Sequence, residues 1–224
     1  MKVFAIGLTV VLFAASANAQ RLVSIPVAGT TAHIDADLYG SGDRAVLLAH
    51  GGRFHKESWR AQAQELAADG FLVLAIAFRG DGFNPDGTPT ALGSDEDNAT
   101  DVLAGAAYLR SIKVKSLAAT GASLGGDAVG NAQARSAVFD RMVFLGSEGG
   151  SAPEKLQGSK LYLFARDDVS GSGPRVPGIT AHFDRAPQPK RLVVVEGKAH
   201  AQYLFATDQG PRVLREILSF LAEK

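Results

Sequence analysis

The chain predicts an α/β fold in one domain over residues 20–224, a mostly parallel eight-stranded sheet with helices on both faces. Three observations carry this. Apolar, β-rich runs alternate with helical segments to the end of the chain. The central runs are apolar throughout, as strands covered on both faces must be. Neither an internal repeat nor a linker with a composition shift divides residues 20–224, and the length is enough to bury a core behind a large sheet.

In order, segments 21–27 and 31–38 partly alternate and read as antiparallel strands joined near Gly29. Segment 45–49 is a short apolar strand, 57–68 a helix ended by Gly70, and 71–78 a second buried strand. A helix follows over 97–110, where Asp101 near the start suits the positive helix end. Segment 116–120 is a strand, 124–135 a helix and 142–145 a strand; 161–165 and 192–195 complete the strands. After Gly210-Pro211 a last helix, 212–222, lines up Leu214, Ile217, Leu218 and Leu221 on one face. Two long stretches, 79–96 and 167–189, are rich in Gly, Pro or Asp and read as loops. Both follow strands, so both belong at the carboxyl end of the sheet, where ligands bind in such folds.

Twenty-three Lys and Arg balance twenty-three Asp and Glu, and no basic block stands out. A nucleic-acid partner therefore has no electrostatic footing. The first nineteen residues differ in kind: Lys2, an apolar run over 3–15, then Ala17-Asn18-Ala19 with small residues where a signal peptidase reads. A membrane anchor is the rival reading, but the run falls short of the roughly 20 residues a span needs. The expectation is a cleaved signal, a mature chain from Gln20 with no membrane span, and a periplasmic or secreted protein. With no cysteine, its stability must come from packing.

Gly121-Ala122-Ser123-Leu124-Gly125-Gly126 fits G-x-S-x-G, with a strand running in and a helix running out. A sharp turn there strains the serine, relieves crowding through glycine and lifts the hydroxyl above the sheet, so Ser123 is the candidate nucleophile. The turn also puts the Leu124 N–H at a helix start, aimed where negative charge develops. His50-Gly51-Gly52, at the end of an earlier strand, offers a second N–H from Gly52 or Arg53.

A serine hydroxyl needs an imidazole to take its proton. Of five histidines, His200 lies in the loop between the last strand and last helix, over the carboxyl edge of the sheet. His33 falls inside a strand, His50 orders the glycine loop, and His55 and His182 sit in loops. The acid that holds the imidazole is read as Asp168, three residues past the strand's Ala165; Asp167 is the alternative and Glu148 a third candidate.

These residues resemble the α/β-hydrolase superfamily over the whole mature chain. The order is histidine-glycine after the third strand, serine turn after the fifth, aspartate after the seventh and histidine after the eighth. Gly51-Gly52-Arg53-Phe54 with Ser58-Trp59, and Phe78-Arg79-Gly80-Asp81-Gly82, are similar to loops of small bacterial serine esterases and dienelactone-hydrolase-like proteins. The resemblance implies cleavage of a small-molecule ester with no metal and no organic cofactor. Dienelactone hydrolases proper usually carry a cysteine nucleophile, which this chain lacks. The short stretch 147–159, where relatives insert a cap, implies no cap domain and an open site. Phe54, Trp59, Phe83 and Tyr203 are placed to line it. Thioester or amide cleavage on the same residues, a perhydrolase side activity, and a binding protein that lost the chemistry are the rival functions. Acyl-chain length and oligomeric state leave no mark in the sequence.

Overall fold

At the N-terminal edge, β1 (Arg21–Pro26) and β2 (His33–Tyr39) form the expected antiparallel hairpin, with Arg21 opposite Leu38. The structure, a computed structural model, describes residues 20–82, 90 and 93–223. The expected signal, residues 1–19, and Phe83 lie outside the described residues.

The rest of the chain alternates as read. β3 (Arg44–Ala49) leads through a 3-10 turn, Lys56–Trp59, into α1 (Arg60–Ala68), and β4 (Leu72–Ile76) into α2 (Asp95–Ser111). β5 (Ser116–Ala122), α3 (Leu124–Ser136), β6 (Arg141–Leu145) and β7 (Ser159–Ala165) follow. A two-residue hairpin, β8 (Val169–Ser170) with β9 (Gly173–Pro174), precedes α4 (Val176–Arg185). β10 (Lys190–Val195) and α5 (Gly210–Ala222) end the fold. The sheet order is β1-β2-β4-β3-β5-β6-β7-β10, eight strands of which β2 alone runs against the others.

Alternate residues of the apolar strands feed two cores. Leu47, Leu74, Ala119, Phe144 and Tyr162 pack against α2, α3 and α4, including Val102, Val129 and Ile179. Val46, Leu48, Val73, Val143 and Leu163 pack against α1 and α5, including Leu66, Val213 and Ile217. A strand buried on both sides has no polar face to show, which is why these runs read as continuous.

Two sequence expectations are corrected here. Residues 167–189 are not a structureless loop: they hold the β8–β9 hairpin and α4. Pro177 and Gly178 look like breakers, yet proline is tolerated in a first helical turn because its missing N–H has no intrahelical acceptor there. The crossover between parallel neighbours β7 and β10 also calls for such an element. Asp101 does not serve the helix dipole. α2 starts earlier, at a capping box between Ser94 and Asp97, and Asp95, Glu96 and Asp97 fill its first turn. Asp101 lies one turn deeper, fully buried, and takes the Arg79 N–H at 2.8 Å and Nε at 2.7 Å.

At the opposite end of the sheet from these loops, Lys160 of β7 is fully buried and donates to the carbonyls of Leu156 (2.9 Å) and Gly158 (2.6 Å), with no carboxylate partner among the described residues. Burial and the nearby Lys190 charge lower its pKa to about 8. A lysine whose folded pKa is depressed binds its proton less tightly than in the unfolded chain. Stability from this group therefore rises with pH between about 8 and the unfolded value. The stability of the wild type relative to K160M should rise by about 2 kcal/mol from about pH 7 to pH 10. Urea unfolding of both proteins at the two pH values measures it.

Candidate active site

β5 runs into α3 through Ser123, whose backbone sits at φ 49°, ψ −121°, a conformation that costs a non-glycine residue of order 1–3 kcal/mol. The flanking glycines are needed for close approach. A Cβ on Gly121 would lie 2.3 Å from the Gly125 carbonyl oxygen, and one on Gly125 2.3 Å from that of Ala49. The Ser123 N–H is held by the Leu145 carbonyl at 2.9 Å, which fixes the turn against β6. Leu124 opens α3, so its N–H has no intrahelical acceptor.

His200 follows β10 and leads into a 3-10 turn, Ala201–Ala206. Its Nε2 lies 2.8 Å from Ser123 Oγ and its Nδ1 2.7 Å from Asp168 Oδ2. An ionised carboxylate only accepts, so Nδ1–H donates to it and Nε2 is left to accept the serine proton. Asp168 follows β7 and its side chain is 1% exposed, against 24% for His200. The chain leaves Asp168, makes the β8–β9 hairpin and returns at Arg175. There the Arg175 N–H donates to the Asp168 carbonyl at 3.0 Å, and Nε stands 3.4 Å from Oδ1.

The alternatives lie elsewhere. Asp167 is exposed, with its N–H on the Gly197 carbonyl. Glu148 is exposed and pairs with His182 of α4 at 3.2 Å. His33 is exposed at the start of β2. His50 is fully buried, its Nδ1 donating to the Gly51 carbonyl at 2.9 Å and its Nε2 3.3 Å from Asp81, whose other oxygen meets His55. Burial would raise the Asp81 carboxyl, but the two rings outweigh it and hold the group below the usual carboxylate range.

A pocket of about 190 Å³ opens at Ser123, bordered by Gly52, Arg53, Phe54, Leu124, Arg175 and Tyr203. Phe54 and Tyr203 meet there with ring centroids 4.8 Å apart, as expected of wall residues. Trp59 is not a wall: it is buried against Phe205 in the core. No carboxylate lines this pocket among the described residues, while Arg53 and Arg175 bring two positive charges, which suits negative charge building beside Ser123. A second hollow of about 450 Å³ adjoins it at His200 and Tyr203 and runs along residues 196–199 to Thr207 and Asp208.

Sequence reading missed Arg175, whose helix it took for loop, and Gln202, whose partner is distant in the chain. Among the described residues no group of three or more His, Asp or Glu is arranged to hold a metal ion, and no helix is long and apolar enough to cross a membrane.

No family model and no curated protein matches the chain. Solved structures do. A dienelactone hydrolase from Anabaena variabilis is similar at 18% identity and TM-score 0.72, over 90% of this chain and 96% of that one. A carboxylesterase from Bacillus subtilis is similar at 16% identity and TM-score 0.68, over 91% and 92%. A thermophilic esterase from Thermogutta terrifontis is similar at 17% identity and TM-score 0.69, over 90% and 98%. At such identities the likeness speaks for architecture, and together with the sheet order and the serine turn after the fifth strand it shows that the chain has the α/β-hydrolase fold.

Proposed function

We propose that the protein is a serine hydrolase that cleaves carboxylic esters through an acyl-serine intermediate. The observation that carries this is the continuous Ser123–His200–Asp168 hydrogen-bond chain at the floor of an open pocket. Ser123 Oγ attacks the ester carbonyl as His200 Nε2 takes its proton, and Asp168 stabilises the imidazolium. The N–H groups of Leu124 and Gly52 receive the oxyanion. Collapse of the tetrahedral intermediate breaks the carbonyl–alkoxy bond, and the alcohol leaves with the proton from His200. Water then repeats the sequence and frees the acid.

A fluorophosphonate tests the nucleophile directly. Ser123 Oγ should displace its fluoride, so that the peptide containing Ser123 gains the mass of the phosphonyl group, and labelling of another residue, or of none, refutes the reading. The part of the site at Ser123 holds about 190 Å³, below the roughly 300–1,000 Å³ of typical drug-sized sites, so we read it as the seat of a short acyl group, with the adjoining hollow of about 450 Å³ at His200 taking the alcohol. Across p-nitrophenyl esters, kcat/KM for butyrate should exceed that for palmitate by about tenfold or more.

Residues 1–19 are, on the same footing, an export signal, and the protein acts in the periplasm or the medium. β1 begins at Arg21, so cleavage after Ala19 leaves the described sheet whole. N-terminal sequencing of protein recovered outside the cytoplasm should start at Gln20.

A further inference from the structure

Gly51 and Gly52 have no side chains to hold them, and glycine backbone is the freest of all. An oxyanion donor works only if it is already aimed, so whatever fixes this loop bears on catalysis. The peptide between Gly51 and Gly52 is fixed at its oxygen. The Gly51 carbonyl accepts from His50 Nδ1 at 2.9 Å and from the Phe54 N–H at 2.9 Å, and in a trans peptide this turns the Gly52 N–H the opposite way. The peptide before it is fixed by a residue from far along the chain: the Gly51 N–H donates to Gln202 Oε1 at 2.7 Å. Gln202 is buried, and its amide donates to Ser58 Oγ at 2.6 Å, while that hydroxyl donates to the His55 carbonyl at 2.6 Å. Both ends of the Gln202 amide are thus committed, so its oxygen faces Gly51 in one orientation. Gln202 sits two residues beyond His200, in the 3-10 turn that His200 opens, where the Tyr203 N–H returns to the His200 carbonyl at 3.1 Å.

We propose that Gln202 is a positioning residue: it locks the Gly51–Gly52 loop to the turn carrying His200, so that base and oxyanion donor are set as one unit. This rests on the ester-hydrolase reading above. The clamp touches no reacting atom, and it acts on the transition state through the aim of the Gly52 N–H rather than on substrate binding.

The test compares wild type, Q202M and S58A on p-nitrophenyl butyrate and with a trifluoromethyl ketone, whose hemiketal oxygen occupies the oxyanion site. Q202M removes both ends of the clamp at similar volume. Its kcat should fall about 10- to 100-fold with KM within about threefold, and ketone affinity should fall by a similar factor, short of the 10²–10³ of deleting a donor outright. S58A frees only the amide end and should show about a two- to fivefold loss in both quantities. A folded Q202M with wild-type kcat overturns the proposal, as does a loss that appears in KM alone or in kcat without the ketone. If Q202M does not fold, S58A decides by the same two readouts, and no loss in either overturns the clamp. Fluorophosphonate labelling of wild-type Ser123 separates the two levels. Without labelling the hydrolase reading falls and takes the clamp with it, whereas labelling with an unaffected Q202M removes the clamp alone.

Discussion

Replacing Ser123 with alanine is expected to lower kcat for ester hydrolysis on the order of 10⁶-fold, because nucleophile and base act as a unit and neither works alone. Substrate binding should survive, since the pocket walls Phe54, Tyr203 and Arg175 are untouched. The backbone makes a second outcome specific to this geometry. At φ 49° alanine is as strained as serine, so S123A should unfold close to the wild-type midpoint, whereas S123G should be more stable by about 1–2 kcal/mol and equally inactive. Steady-state kinetics and urea midpoints of the two variants give both readings. Turnover within tenfold of wild type in S123A would remove the acyl-serine mechanism.

Much of this site was legible because its cues are local. Ser123 is marked by a strand, two close-packed glycines and a helix within a few residues, and His200 by its place after the last strand. The β-strands were legible because a sheet covered on both faces demands unbroken apolar runs. What escaped depends on contacts that sequence spacing does not encode. Gln202 meets Gly51 across 151 residues of chain, and nothing in Ala201-Gln202-Tyr203 announces a clamp. Trp59 looked like a wall residue because its neighbour Phe54 is one, but the 3-10 turn over Lys56–Trp59 rotates it into the α1–α5 core. α4 was hidden by Pro177 and Gly178; the proline's breaker character is suspended in a first turn, and a single glycine costs a helix only about 1 kcal/mol. With α4 went Arg175, which the helix start delivers to Asp168. Asp101 looked like a dipole residue because its spacing fits either role; only the cap at Ser94 shows how deep it lies.

The sequence leaves two adjacent aspartates as rivals for the acid, and the structure separates them by burial and direction. D168N should cut kcat on the order of 10⁴-fold. An asparagine amide in place of Oδ2 donates toward His200 Nδ1, which must then accept. The ring proton moves to Nε2, where it faces Ser123 Oγ and blocks proton uptake. The same change leaves Arg175 against a neutral amide, so a half-buried ion pair is lost together with the tautomer. D167N should stay within about twofold of wild type, as an exposed loop substitution does, because among the described residues no hydrogen bond or ion pair of its side chain reaches the site. The contrast between neighbours is the decisive measurement. Both variants keep the backbone bonds of this loop, from the Asp167 N–H to the Gly197 carbonyl and from the Asp168 N–H to the Ala165 carbonyl. A difference of several orders of magnitude between them therefore reports the carboxylate and not the loop. Equal losses would mean the loop, not the charge on Asp168, orients His200.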